Sequence, residues 1–192
     1  MPLSSRFCLA DTPTYRGYET YLGYYSAMTA DHWTHLNQAG GSAKTCPSFP
    51  DMCLSVGTNL SALGDNSTYE STIFGDRSVA LIEAHDASSP FFLYLAFHNE
   101  HDPHQAPLAS VRSFPHIQDD TYKVTAAMIE TMDTQVGRVL AALKGKGMME
   151  NIVVGFSSDN GGPLDHANNA PFRGGKHTLW EVSRRRSLPI VR

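Results

Sequence analysis

The sequence predicts an α/β domain in which a mostly parallel sheet carries helices on both faces. Two apolar runs, residues 91–97 and 152–156, have the length and composition of buried strands. Between them, apolar residues recur at three- and four-residue spacing from Tyr122 to Leu143, which is typical of an amphipathic helix. A helix that joins two parallel strands forms a right-handed crossover.

Composition excludes several classes of protein. The chain has 192 residues, enough for one domain, with 41% hydrophobic and 18% charged residues, a profile that excludes intrinsic disorder. The net charge of -4 argues against a general nucleic-acid binder. No apolar run reaches the roughly 18 residues that a membrane span needs. Residues 1–7 lack the apolar core of a signal peptide.

The boundaries of the elements follow from local signals. Residues 11–68 are rich in Gly, Tyr, Ser, Thr and Asn, and we expect irregular structure there. A Ser67 or Thr68 cap predicts a helix of about four turns that residues 86–90 end. Asp119 and Asp120 are expected to cap the amphipathic helix. Residues 188–192 resemble the start of a strand that is cut off, so we expect a chain that is incomplete at both ends.

Polar clusters follow both predicted strands. Residues 98–104 contain three histidines, and residues 157–162 end in Asp159-Asn160-Gly161-Gly162. Ligands bind beyond the carboxyl ends of strands in open α/β sheets, so the two clusters are expected to share one crevice.

Asp159 and Asn160 are the candidate metal ligands. A carboxylate and an amide oxygen side by side suit Ca²⁺ or Mg²⁺. The alternative is a tight turn, because these residue types are also typical of turns.

His98, His101 and His104 leave three interpretations open. They could bind zinc, although Pro103 places them in a loop and no cysteine lies nearby. One of them could act as an acid or as a donor to an anion. They could also be polar loop residues without a role. Lys176, in the segment 173–177, similarly either neutralises an anionic substrate or lies in a solvated basic turn.

Four segments, taken in order, resemble type I sulfatases, with the arylsulfatase B group, which includes N-acetylgalactosamine-4-sulfatase, as the nearest match. They are residues 12–24, the strand and histidine loop at 90–107, Phe156–Gly162, and Arg173–Glu181. The resemblance covers about residues 8–181, and residues 182–192 form a divergent tail. Residues 1–192 are thus expected to be part of a sulfatase catalytic domain.

The resemblance implies an alkaline-phosphatase-like fold and the hydrolysis of sulfate monoesters, with small sulfate esters or sulfated glycans as candidate substrates. It implies one Ca²⁺ ion, held in part by Asp159 and Asn160. His101 would contact the sulfate ester, and Lys176 would bind sulfate oxygens. Lysosomal or extracellular localisation is implied as well. Two sequons, at Asn59 and Asn66, agree with a secretory origin.

The chain departs from the family at the nucleophile. A cysteine of this family is converted to formylglycine within Cys-x-Pro-Ser-Arg, whereas Cys46 is followed by Pro-Ser-Phe-Pro. The formylglycine cysteine and the paired aspartates that complete the calcium site are missing, so the chain alone is expected to be inactive. Cys8 matches a family cysteine whose partner lies upstream. Cys46 and Cys53 are expected to pair with each other.

Two rival functions remain at this point. One is a phosphomonoesterase or phosphodiesterase of the same fold, which would need two metal ions and more Asp and His ligands. The other is a non-catalytic splice product or pseudoenzyme that serves as a binding module.

Overall fold

The computed structural model describes residues 13–23, 31–33, 35, 68–165, 167–180 and 190–191. Three α-helices and two short strands form in this part of the chain: α1 (Glu70–Ala84), α2 (Leu108–Arg112), α3 (Asp120–Gly145), β1 (Val154–Gly155) and β2 (Ile190–Val191). Single 3₁₀ turns form at Pro13–Arg16 and Met149–Asn151. None of the helices described is long and apolar enough to cross a membrane.

Helix α1 confirms the first predicted helix but begins differently. Its N-cap position is Tyr69, and no side chain there bonds to the first turn, so the predicted Ser67 or Thr68 cap is wrong. Glu70 opens the helix, where a carboxylate is favoured by the helix dipole. The helix ends at Ala84, as the polar residues 86–90 predict.

Helix α3 begins as predicted, because the Asp119 carboxylate accepts the Tyr122 backbone N–H at 3.0 Å. Its buried face, however, is only partly the predicted apolar stripe. Val139 and Leu143 are buried, whereas Tyr122 and Ile129 are exposed. The N-terminal half buries Thr125, Ala127, Met128, Thr131 and Gln135 instead.

The polar character of that half has a packing reason. Helices α1 and α3 pack against each other, and α1 presents small residues there, Ser71, Gly75 and Ser78. A Cβ atom on Gly75 would collide with the side chain of Gln135. The helices therefore approach closely, and short hydroxyl-bearing side chains fill the contact better than large apolar ones.

The apolar core lies at the other end of the helix pair. Ile82, Val139 and Leu143 form its buried centre. Packed against them are residues of the first apolar run, Phe91, Leu93 and Leu95, and Ile152 of the second run. Both runs therefore lie on the same side of the α1–α3 pair, as the predicted layering requires.

The predicted sheet is only partly present. Strand β1 lies inside the predicted 152–156 run, but its described partner is β2, which pairs antiparallel with Val154 opposite Val191. Residues 91–97 form no strand in the described part of the chain. Phe92 and Tyr94 are 76% and 73% exposed, so the expectation that this run is buried on both faces is wrong. One face of the run packs on the helices and the other is uncovered.

Replacement of Ile82 by alanine should destabilise the fold strongly. Ile82 is fully buried at the centre of the core, so the variant loses transfer free energy and leaves a cavity. The expected loss in the free energy of unfolding is about 2–5 kcal/mol, measured by urea denaturation. Ile129→Ala is the matched control, because Ile129 lies on α3 with 42% of its surface exposed. Equal losses in the two variants would contradict the assigned core.

Candidate active site

The predicted lysine segment lies against the predicted metal segment. The Lys176 backbone N–H donates to the Gly162 carbonyl oxygen at 3.0 Å. We call this contact the junction between the two segments. The Asn169 side chain bonds to the same glycine, since it accepts the Gly162 N–H at 2.9 Å and donates to the Gly162 oxygen at 2.9 Å. The last two motif segments, 157–162 and 173–177, are thus joined by a backbone hydrogen bond.

Glycine makes this close approach feasible. Gly175 is buried, and a Cβ atom there would lie 2.6 Å from the Gly162 carbonyl oxygen. Gly174 has a φ of 88°, a left-handed conformation that favours glycine. Thr178 fixes the turn, because its hydroxyl accepts the Gly175 N–H at 3.1 Å and donates to the Gly175 oxygen at 2.7 Å.

A cation–π contact joins the two ends of the lysine segment, residues 173–180. The Arg173 guanidinium lies 3.5 Å from the centre of the Trp180 ring, which is a cation–π distance. Trp180 is nonetheless half exposed, so it holds the segment by stacking with Arg173 and not by burial. The turn that carries Lys176 therefore has defined backbone geometry.

Asp159 and Asn160 lie next to that junction. Asp159 is exposed, and Asn160 is partly buried with its amide nitrogen donating to the Gly161 oxygen at 2.9 Å. That bond leaves the amide oxygen of Asn160 as its remaining polar atom, which suits a hard cation. Two oxygen donors are fewer than the six to eight that Ca²⁺ takes, so they account for part of a site.

The three histidines of the 98–104 loop face different partners. The His98 Nδ1 atom lies 3.1 Å from a Glu70 carboxylate oxygen, and His104 pairs with Asp102 at 3.0 Å. The exposed His101 ring has its Nδ1 atom 3.2 Å from the Asp102 carbonyl oxygen. Within the described ranges, no group of three or more His, Cys, Asp or Glu side chains is arranged to hold a metal ion. The zinc interpretation of these histidines therefore receives no support.

A buried polar cluster around Glu70 escaped the sequence analysis. The Glu70 carboxylate lies 3.0 Å from the Nδ1 atom of His32, and both side chains are buried. It also faces His98 on the histidine loop, and the Nε2 atom of His32 lies 3.3 Å from the His101 carbonyl oxygen. Glu70 is 38 positions from His32 and 28 positions from His98 in the sequence, so no local motif predicts the cluster.

Further hydrogen bonds anchor the histidine loop to the helices. The Asn99 amide nitrogen donates to the Met128 carbonyl oxygen of α3 at 2.8 Å, and its amide oxygen accepts from Ser71 of α1 at 2.7 Å. The Tyr69 hydroxyl donates to the Gln105 carbonyl oxygen at 2.8 Å. Burial raises the pKa of Tyr69 to about 12, so this donor keeps its proton at physiological pH. The loop is thereby fixed near both of its ends.

Among the predicted site residues, Lys176 contacts the Asp159–Gly162 segment through its backbone, and His101 contacts Asp102, His98 and His32. The predicted glycosylation sites and cysteines lie outside the described residues: Asn59, Asn66, Cys8, Cys46 and Cys53.

Comparison with known proteins identifies the family. The sulfatase family profile matches residues 4–186, so the chain belongs to the sulfatase family. Arylsulfatase J of Mus musculus is 33% identical over 173 residues, which are 88% of this chain and 27% of that protein. N-acetylgalactosamine-6-sulfatase of Mus musculus is 33% identical over 102 residues, 50% of this chain and 18% of that protein. The chain thus spans about a quarter or less of these relatives.

A solved structure confirms the relationship at the level of the backbone. The crystal structure of Ps i-CgsB in complex with k-i-k-neocarrahexaose superposes with a TM-score of 0.76 at 25% sequence identity. The superposition covers 95% of this chain and 41% of that one. That protein therefore extends well beyond the part that corresponds to this chain.

Replacement of Gly175 by alanine should separate the two segments of the site. The added methyl group would overlap the Gly162 carbonyl oxygen, which is backbone and cannot rotate away. We expect the free energy of unfolding to fall by about 1–3 kcal/mol in urea denaturation. Gly137→Ala in α3 is the control, because a Cβ atom there meets nothing within 4 Å and should add about 0.5–1 kcal/mol. An unchanged unfolding midpoint for Gly175→Ala would contradict the close approach.

Proposed function

We propose that this chain carries part of the catalytic site of an enzyme that hydrolyses sulfate monoesters. The observation that carries the proposal is the junction between the Lys176 turn and the Asp159–Gly162 segment, in a chain that belongs to the sulfatase family. The contact between the two segments supports a site in which a cation and a pair of oxygen donors act together, and a sulfate group needs such surroundings.

Lys176 supplies the fixed positive charge. A sulfate monoester carries one negative charge, and further charge builds on the leaving oxygen as the S–O bond breaks. An ammonium group held near those oxygens stabilises the transition state more than the ground state, and the effect is stronger where water is excluded. The backbone hydrogen bond of Lys176 to Gly162 fixes the main chain from which the ammonium group extends, and it supports this role.

Asp159 and Asn160 would hold one Ca²⁺ ion together with ligands from outside the described residues. Bound there, the metal would supply Lewis-acid stabilisation of the sulfate oxygens. His101, with an exposed ring on an anchored loop, would donate a proton to the leaving oxygen or a hydrogen bond to the ester. The nucleophile, a formylglycine, is not supplied by Cys46, so the chain alone is expected to be inactive.

Sulfated sugars are the substrate class that we propose. Ps i-CgsB was solved in complex with k-i-k-neocarrahexaose, and N-acetylgalactosamine-6-sulfatase is among the relatives. The sequons at Asn59 and Asn66 support a glycosylated protein in a lysosomal or extracellular setting. An alkaline-phosphatase-like fold is the architecture in which this site is expected to operate, and the superposition on Ps i-CgsB supports it.

Lys176→Ala should reduce sulfate ester hydrolysis by the intact, formylglycine-modified protein that contains this chain. Loss of a preorganised charge partner typically costs about 10² to 10³ in rate, or roughly 3–4 kcal/mol. The measurement is kcat/KM for a chromogenic aryl sulfate and for a sulfated sugar. A matching aryl phosphate tests the phosphatase alternative, and faster turnover of the phosphate would favour that alternative.

Two controls sharpen this experiment. Lys144→Ala removes an exposed lysine from the last turn of α3 and should leave kcat/KM unchanged. The 192-residue chain alone should release no sulfate, because it lacks the modified cysteine. A loss below about threefold for Lys176→Ala would contradict the role of Lys176, since it falls far short of the expected range.

A further inference from the structure

Both ring nitrogens of His32 face hydrogen-bond acceptors. Nδ1 lies 3.0 Å from the Oε2 atom of Glu70, and Nε2 lies 3.3 Å from the carbonyl oxygen of His101. The side chain of His32 is completely buried, so water does not compete for either nitrogen. A carbonyl oxygen can only accept a hydrogen bond, and so can an ionised carboxylate.

This arrangement determines which protons the ring carries. A neutral imidazole has one N–H donor and one bare nitrogen, which would here point its lone pair at an acceptor. An imidazolium has two N–H donors and satisfies both partners. The two contacts of His32 are therefore compatible with each other when the ring is positively charged.

The charge balance around Glu70 agrees with that assignment. Glu70 is 1% exposed, and an unpaired carboxylate at such a site is strongly disfavoured. A positive charge on His32 would pair directly with this carboxylate. His98 is a further donor among the described residues, with Nδ1 at 3.1 and 3.2 Å from the two carboxylate oxygens. A neutral His98 suffices for those bonds, since only its Nδ1 faces the carboxylate.

Among the residues that the structure describes, Tyr69 and Gln105 also lie around His32, and both side chains are neutral. The Tyr69 ring lies 5.4 Å from the His32 ring, centre to centre, and its hydroxyl is protonated and bonded to Gln105. The Gln105 side chain accepts the His32 backbone N–H at 3.1 Å and donates to Asp31 at 2.7 Å. Asp31 therefore contacts His32 through Gln105 and the chain, and Glu70 is the carboxylate that meets the ring.

We propose that His32 and Glu70 form a buried ion pair that positions His101, with the His32 ring donating one N–H to the Glu70 carboxylate and the other to the His101 carbonyl oxygen. The pair holds the backbone of His101 at its carbonyl oxygen, and the exposed imidazole ring extends from that anchored backbone. His32 and Glu70 are thus positioning residues for His101. That part of the inference rests on the proposed function, in which His101 meets the sulfate ester.

Nitrogen NMR of the ¹⁵N-histidine-labelled 192-residue chain tests the ion pair directly. The ring of His32, assigned through its correlations to Cβ, should show two protonated nitrogens at neutral pH. The exposed His116 provides the internal reference for a ring in contact with water. A His32 ring with one bare nitrogen would overturn the proposal, because it would place the second proton on Glu70 or break the bond to His101.

A second arm measures positioning in the intact, formylglycine-modified protein. Glu70→Gln keeps the shape of the side chain and removes its charge, so we expect kcat to fall about tenfold or more, with KM within about threefold of the starting value. Glu83→Gln, an exposed glutamate on the same helix, should change neither constant. A kcat within about twofold of wild type for Glu70→Gln would overturn the positioning role.

The NMR and kinetic measurements distinguish a failure of the ion pair from a failure of the proposed function. If the intact protein shows no sulfatase activity, the proposed function fails, while the spectrum still decides whether the ion pair exists. If the protein is active and His32 is not doubly protonated, the ion pair fails and the proposed function stands.

Discussion

The described part of this chain is organised around one buried carboxylate. Glu70 lies in the first turn of α1, where it meets an imidazole from residues 31–35 and another from the 98–104 loop. Removing a carboxylate from water costs several kcal/mol unless charged or hydrogen-bonding partners replace the solvent. The three segments therefore stabilise one another, since the loss of either imidazole removes a hydrogen bond from the buried carboxylate.

This constraint separates the site into two differently supported halves. His101 lies on a loop that the Glu70 cluster and the Asn99 amide attach to α1 and α3. Lys176 lies on a turn that one backbone hydrogen bond attaches to Gly162, shortly after the Asp159 and Asn160 pair. The backbone of each segment is thus held by its own hydrogen bonds.

Features that depend on local sequence could be predicted. The Asp119 cap needs only the backbone N–H of Tyr122 three residues away, and it is confirmed. The burial of Val139 and Leu143 follows from helical spacing and is also confirmed. Asp159, Asn160 and Lys176 were selected from short motifs, and the contact between their segments is consistent with a shared role, although their chemistry stays a prediction.

Features that depend on distant partners could not be predicted. The exposed face of residues 91–97 depends on what covers the run, and a run of apolar residues looks the same when it is buried on one face or on two. Strand β1 pairs with residues 190–191, a partner that follows it by more than thirty positions. The Glu70–His32 contact gives no periodic signal, because neither residue belongs to a motif.

Hydrogen exchange in the chain with Glu70→Ala tests the organising role of the buried carboxylate most directly. We predict that the backbone amides of residues 31–35 and of residues 98–105 lose protection together, because both segments bond to the same carboxylate. Amides in the last turns of α3, which pack on Ile82 and not on Glu70, should keep theirs. Unchanged protection in both segments, or a loss spread evenly over the whole chain, would contradict this account.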